Sequence, residues 1–176
     1  INGGTFNLYE GTITGFVNGV EIGSHTSSIK TGSSFTMYGG AITGNKAGSS
    51  AGGGVFLIST TNSNVTAPSF TMHGGTISNN TAGASDGGGG GVYVGEKCSF
   101  TMDGGTITGN TATNGNGGGI YIHFNAGNVS ISNATITDNK ASATGNTSYG
   151  HGGGIYSERG VTVKGVTITG NNSTFE

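Results

Sequence analysis

The sequence predicts an all-β fold: a right-handed single-stranded parallel β-helix, or β-solenoid, with three short strands per coil and about six coils of roughly 30 residues. Three observations predict it. One eleven-residue unit recurs along the chain. Apolar residues alternate with period two in short pieces, and stripes of helical period are absent. Glycine supplies 39 of 176 residues, against a usual share of ~7%.

The unit is clearest as Phe35-Thr-Met-Tyr-Gly-Gly-Ala-Ile-Thr-Gly-Asn45. It returns as Phe70-Thr-Met-His-Gly-Gly-Thr-Ile-Ser-Asn-Asn80 and as Phe100-Thr-Met-Asp-Gly-Gly-Thr-Ile-Thr-Gly-Asn110. Weaker copies begin at Phe6, Val129 and Val161, so successive starts lie 29, 35, 30, 29 and 32 residues apart. Constant units at variable spacing mean fixed strands joined by loops of different length.

The first strand is the Phe-Thr-Met piece, with Phe and Met on one side and Thr on the other. The second is Thr-Ile-Thr, with Ile alone on the inner side. The third follows a glycine run: Val55-Phe-Leu57, Val92-Tyr-Val94, Ile120-Tyr-Ile122 and Ile155-Tyr-Ser157, with Val20-Glu-Ile22 as the first copy's equivalent. Such pieces bury their apolar sides only if copies stack, each strand pairing in parallel with its equivalent ~4.8 Å away.

Stacking turns every repeat position into a column. Phe6, Phe35, Phe70, Phe100, Val129 and Val161 form one inward column. Leu8, Met37, Met72, Met102, Ile131 and Val163 form a second, and Ile13, Ile42, Ile77, Ile107, Ile136 and Ile168 a third. Ala47, Ala82, Ala112 and Ala141 are expected to fill a tight corner. Asn45, Asn80, Asn110, Asn139 and Asn171 are expected to form an amide ladder. Gly39, Gly74, Gly104, Asn133 and Gly165 are expected to take positive φ at the bend between the first two strands, because glycine and asparagine tolerate it.

Composition bounds the function. Lys and Arg total 6, Asp and Glu 8, and no basic stripe exists to neutralise phosphates, so nucleic acid is not an expected partner. No apolar run approaches the ~18 residues of a membrane helix. Cys98 stands alone and is read as a small loop side chain. The chain begins at Ile1 without an initiator Met or a signal peptide, which fits a processed chain or excised domain. It is expected to be one solenoid domain over residues 1–176, a segment of a longer extracellular protein. The sixth copy stops after its second strand and neither end shows a cap, so end-to-end contacts or flanking coils are expected.

Gly153-Gly-Ile155 and Gly118-Gly-Ile120, each followed by an alternating strand, together with Ile42-x-x-Asn45, Ile107-x-x-Asn110 and Ile136-x-x-Asn139, resemble the parallel β-helix repeats of the pectin-lyase-like superfamily. The chain looks most like repeats of polymorphic outer-membrane autotransporter adhesins, whose signatures are Gly-Gly-Ala-Ile and Phe-x-x-Asn. Gly39-Gly-Ala-Ile42 matches the first in letters at a different place in the coil; Ile replaces Phe in the second. The resemblance covers nearly the whole chain. It implies a β-helix, and a bacterial cell-surface or extracellular location; it does not fix an activity.

A pectate-lyase-like site needs clustered aspartates and a basic residue. Asp86, Asp103 and Asp138 fall in different columns and coils, and no two acids share a column in adjacent coils, so a two-carboxylate glycosidase site is not expected either. His73 stacks beside Asp103 in the column Tyr9, Tyr38, His73, Asp103, Ser132, Lys164, which a cross-strand ion pair explains. His123 and Glu158 are expected neighbours. No metal and no cofactor is expected: the calcium nonapeptide is absent, and Gly87–Gly91 lacks the phosphate-loop ending and reads as a flexible loop. Asn64-Val-Thr66 and Asn128-Val-Ser130 are read as chance glycosylation triplets.

Two outward faces are candidate binding surfaces. Phe56, Tyr93, Tyr121 and Tyr156 form an aromatic column suited either to cross-strand stacking or to sugar rings. Thr12, Thr14, Thr43, Thr76, Ser78, Thr106, Thr108, Thr135, Thr137, Thr167 and Thr169 form ranks with ~4.8 Å and ~6.6–7 Å spacings, like the flat face of β-solenoid ice-binding proteins. The leading expectation is a non-catalytic structural or adhesive surface module, with surface glycans or proteins of a host or neighbouring cell as partners. A polysaccharide-binding or polysaccharide-cleaving β-helix and an ice-binding protein are the alternatives.

Overall fold

The computed structural model describes residues 1–23, 32–59, 66–84, 87–144 and 149–175. These residues form strands and turns, without a helix among them. The first-strand pieces β1 (Thr5–Leu8), β4 (Ser34–Met37), β7 (Ser69–Met72), β11 (Ser99–Met102), β15 (Val129–Ser132) and β19 (Thr162–Lys164) line up in that order as one sheet. The second-strand pieces β2 (Thr12–Ile13), β5 (Ala41–Thr43), β8 (Thr76–Ser78), β12 (Thr106–Thr108), β16 (Thr135–Thr137) and β20 (Thr167–Thr169) make another. A third sheet holds β3 (Val20–Gly23), β6 (Val55–Ile58), β10 (Val92–Val94), β14 (Ile120–Ile122) and β18 (Ile155–Ser157).

Every strand pairing is parallel, and each joins a piece to its equivalent in the next repeat. Phe6 pairs with Phe35, Phe35 with Phe70, and Phe70 with Phe100; Met72 pairs with Met102, and Ile77 with Ile107. The fold is a parallel β-solenoid. Its chain returns to the same place after each repeat because the inward columns bury only against themselves. Phe35, Phe70, Phe100, Met37, Met72, Met102, Ile42, Ile77 and Ile107 are all buried. The phenyl rings stack with centroids 4.8–5.2 Å apart. Each fully buried large side chain contributes about 1.5–3 kcal/mol, so a narrow core suffices in a glycine-rich chain.

A fourth sheet adds to the three strands expected per coil. β9 (Thr81–Ala82), β13 (Thr111–Thr113), β17 (Lys140–Ala143) and β21 (Asn172–Phe175) occupy the place where the sequence indicates an alanine corner. Ala82, Ala112 and Ala141 point inward and are buried, so the corner exists, but as the inner side of a strand. The chain thus runs on past the second strand of the last repeat into β21, paired with β17.

The asparagine ladder is present. Nδ2 of Asn45, Asn80, Asn110 and Asn139 donates at 2.9 Å to Oδ1 of the next asparagine in the column. The same Oδ1 atoms accept the preceding asparagine's backbone N–H at 3.0–3.1 Å. Each Nδ2 also donates back to an isoleucine carbonyl, as Asn110 does to Ile77 at 2.9 Å.

Two expectations about glycine need correction. Positive φ occurs at Asn133 (49°) and Gly165 (63°) as expected, but in the other repeats it falls one residue later, at Gly40 (77°), Gly75 (84°) and Gly105 (84°). Gly39, Gly74 and Gly104 are required for a different reason. A Cβ on them would lie 2.3–2.6 Å from the carbonyl oxygen of Tyr9, Tyr38 or His73 in the preceding coil. The run Gly87–Gly91 is likewise no flexible loop. It is buried, and Gly89, Gly90 and Gly91 donate to the carbonyls of Asn116, Gly117 and Gly118. A Cβ on Gly90 would meet the Thr111 carbonyl oxygen at 2.5 Å, and one on Gly91 would meet Asn110 Nδ2 at 3.1 Å. The glycine run is bare so that the next coil's fourth strand and asparagine amide can pack against it.

Candidate binding faces

The aromatic column is set by the third sheet. Phe56, Tyr93, Tyr121 and Tyr156 are paired in register and point away from the aliphatic core. Tyr93 and Tyr121 stack at 5.0 Å with planes 3° apart, Tyr121 and Tyr156 at 5.6 Å and 22°. Phe56 tilts against Tyr93 by 52° at 5.3 Å. Each inner ring therefore uses its faces on its neighbours, and the edges and hydroxyls are what the column turns outward. Tyr121 is only 4% exposed.

Glu158 lies against this column at Tyr121, one ring in from its last member, Tyr156. It hydrogen-bonds Tyr121, and its Oε2 accepts the Phe124 backbone N–H at 3.0 Å. Burial first, then that hydrogen bond and the carboxylate's charge, push the Tyr121 phenol above its ordinary range. Tyr93 is raised in the same direction, chiefly by burial and next by Glu158. His123 and Glu158 are neighbours as expected, since Ile122 pairs with Ser157 and the Glu158 N–H donates to the Ile122 carbonyl at 3.0 Å, but their side chains do not bond each other. His123 Nδ1 accepts the Asn125 N–H at 3.2 Å, and the carboxylate reaches Phe124 instead. Arg159 donates to the carbonyl oxygens of Ala126 and Gly127, tying the same turn down.

The threonine ranks are set by the second sheet. Thr12, Ala41, Thr76, Thr106, Thr135 and Thr167 align in one rank. Thr43, Ser78, Thr108, Thr137 and Thr169 align in the other, with Thr14 beyond the end of β2. Ala41 interrupts the first rank. Some hydroxyls bond each other: Ser78 Oγ donates to Thr43 Oγ1 at 3.1 Å, and Thr137 Oγ1 to Thr108 Oγ1 at 3.2 Å. Hydroxyls line the first sheet too, where Ser34, Ser69 and Ser99 pair in register, as do Thr36 with Thr71 and Thr71 with Thr101.

The strands of the first sheet lead into a second, exposed stack of rings. Tyr9, 65% exposed, stacks on Tyr38 at 4.7 Å and 5°, and Tyr38 on His73 at 5.1 Å. His73 Nδ1 lies 2.7 Å from Asp103 Oδ1, the cross-strand pairing expected from the column, and the pair is ionic when the imidazole is protonated. Both partners are well exposed, so the pair contributes little to stability. Among the described residues no three His, Cys, Asp or Glu side chains gather where they could hold a metal ion. Asp86 and Asn64 lie outside the described residues.

A comparison with family models, with curated proteins and with solved structures finds no match to this chain. Its own geometry carries the functional reading.

The sequence alone does not single out Glu158 as the carboxylate beside Tyr121. It stands in the coil after Tyr121 and two residues past Tyr156, and only the stacking register brings it to Tyr121. A shallow pocket of about 230 Å³ lined by Gly15, Phe16, Val17, Gly44 and Lys46 also escaped the sequence reading, because Phe16 breaks the asparagine column there.

Proposed function

We propose that this chain is a non-catalytic module of the bacterial cell surface or extracellular space, with a structural or adhesive role. The observation that carries the reading is the outer surface itself. Ranks of neutral hydroxyls run in register along two sheets, beside an exposed Tyr9–Tyr38–His73 stack, while the chemistry of the interior is spent on packing and on a closed amide ladder. A repeated, uncharged, hydrogen-bonding surface suits many weak contacts to an extended partner, such as a surface glycan or a protein of a host or neighbouring cell. The likeness of Ile-x-x-Asn and Gly-Gly-Ile to autotransporter adhesin repeats of the pectin-lyase-like class supports the same reading.

The test is binding of the labelled chain to bacterial and epithelial surfaces and to an array of their glycans. The expected result is saturable binding that weakens on Tyr9→Ala/Tyr38→Ala substitution. Binding that is absent on every surface would leave only the structural role. Measurable cleavage of any arrayed polysaccharide would overturn the non-catalytic reading.

A second reading follows from the register of the threonine ranks. Six strands paired without offset give hydroxyls a two-dimensional repeat of ~4.8 Å by ~6.6–7 Å, the kind of spacing an ice face requires. On this reading, Thr106→Lys and Thr135→Lys abolish inhibition of ice recrystallisation by the parent chain. A parent chain without such inhibition at millimolar concentration eliminates it.

A further inference from the structure

The turns that follow the third strands stack as the strands do. Val94 pairs with Ile122, which sets Gly95-Glu96-Lys97-Cys98 beside His123-Phe124-Asn125-Ala126 of the next coil. Both turns close in the same way. The Cys98 N–H donates to the Gly95 carbonyl at 3.2 Å, and the Ala126 N–H to the His123 carbonyl at 2.9 Å. They differ at the third residue. The Lys97 N–H reaches across to the Asn125 carbonyl at 2.7 Å. The Asn125 N–H turns back instead, to His123 Nδ1 at 3.2 Å.

That bond assigns a protonation state. A ring nitrogen that accepts an N–H carries no proton of its own, so His123 is neutral with its hydrogen on Nε2. The same turn holds Phe124 out from an interior coil. The Phe124 ring is 59% exposed and tilts against the His123 ring at 4.3 Å, and Glu158 Oε2 fixes its backbone N–H at 3.0 Å. The charged neighbours are already engaged. In the preceding coil Lys97 Nζ lies 3.6 Å from Glu96 Oε1. In the following coil Glu158 serves Phe124 and Tyr121, and Arg159 serves the Ala126 and Gly127 carbonyls. Cys98, whose carbonyl accepts the Gly127 N–H at 2.8 Å, carries a buried, protonated thiol.

We propose that His123 is an acid-sensitive latch on the turn that presents Phe124. Neutral, its Nδ1 accepts the Asn125 N–H and the turn is closed. Protonated, Nδ1 becomes a donor facing a donor, and that bond is lost. The imidazolium then competes for Glu158, the carboxylate that fixes the Phe124 N–H. Both changes loosen the hold on the exposed ring, so its presentation depends on acidity. The equivalent turn one coil back has Gly95 in the place of His123 and lacks the device. The inference stands apart from whatever the outward faces bind.

Nuclear magnetic resonance on the intact chain tests it. In the neutral His123 ring the nitrogen signals should place the proton on Nε2. As the ring takes up its second proton, protection of the Asn125 amide, measured against a free peptide at the same pH, should fall roughly two- to tenfold, the worth of one ordinary hydrogen bond. The Phe124 ring signals should move with the same midpoint. His123→Asn supplies a side-chain oxygen that accepts the N–H two residues on and does not titrate, so the turn should stay closed and the transition should vanish. Glu158→Gln removes the other titrating acceptor and should leave the transition in place. A neutral ring with its proton on Nδ1, an Asn125 amide indifferent to the His123 titration, a transition that persists in His123→Asn, or one that is lost in Glu158→Gln overturns the proposal.

Discussion

Asn110 makes four hydrogen bonds with one amide. Its Oδ1 takes the N–H and Nδ2 of Asn80, and its own Nδ2 serves Ile77 O and Asn139 Oδ1, all at 2.9–3.0 Å in a fully buried place. That is the full donor and acceptor capacity of the side chain. Asn110→Ala would strand two donors of Asn80 at once, and each buried unsatisfied group costs about 1–3 kcal/mol. The expected loss is about 2–5 kcal/mol, measured by chemical denaturation, against a loss near zero for Asn125→Ala on the surface. Equal shifts in the two variants would remove the ladder from the account of stability. The ladder was legible in the sequence because five asparagines share one repeat position. The left-handed residue before it was not read. Gly44, Asn79, Gly109, Asp138 and Gly170 all have φ between 54° and 67°, but three residue types share the place, so the letters alone hide the conformation they have in common.

Among the elements, the glycine run and the asparagine column turn out to be one device. Gly91 and Gly119 lack a side chain because Asn110 and Asn139 of the next coil occupy that space, with Nδ2 at 3.1 Å from where each Cβ would lie. Gly90 and Gly118 lack one because the fourth strand passes 2.4–2.5 Å from theirs. The sequence shows the glycines and the asparagines separately; which touches which depends on an offset of one coil that only stacking fixes. The fourth strand was hidden for a related reason, since two or three residues around an alanine read as a corner. Backbone, not a flexible side-chain tip, borders Gly118, so Gly118→Ala is expected to cost at least about 2 kcal/mol. Gly160→Ala has nothing within 4 Å of the new methyl and should be neutral or slightly stabilising. Thermal melts of the pair decide it, and similar midpoints would contradict the close packing.

For the whole molecule, Cys98 reports on cooperativity. It is fully buried in the core cluster, and burial above all pushes its thiol up to about 12. Alkylation of the native chain should therefore proceed only as fast as the central coils open; rapid labelling of the folded chain would show that they open one by one. The same burial fixes a pH dependence. The unfolded thiol titrates near its ordinary value of 9.0, the folded one far above it, so the unfolded state holds fewer protons between those values. The thiol's contribution is complete below about pH 9 and is lost as pH rises toward about 12. Half-buried Tyr93 and buried Tyr121 act in the same direction at higher pH. Cys98→Ala should flatten the alkaline fall in melting temperature, and an unchanged slope would assign the fall to the tyrosines.

The parallel register described for the four sheets has a consequence for length. Each coil touches only its neighbours above and below, and each presents the same columns to both. A coil added or removed between two others therefore changes the reach of the molecule by one strand spacing, ~4.8 Å, without changing its girth or its interior chemistry. The gene can set the distance between whatever stands at the two ends by duplication or deletion of a single unit, so the protein serves as a ruler graduated in repeats.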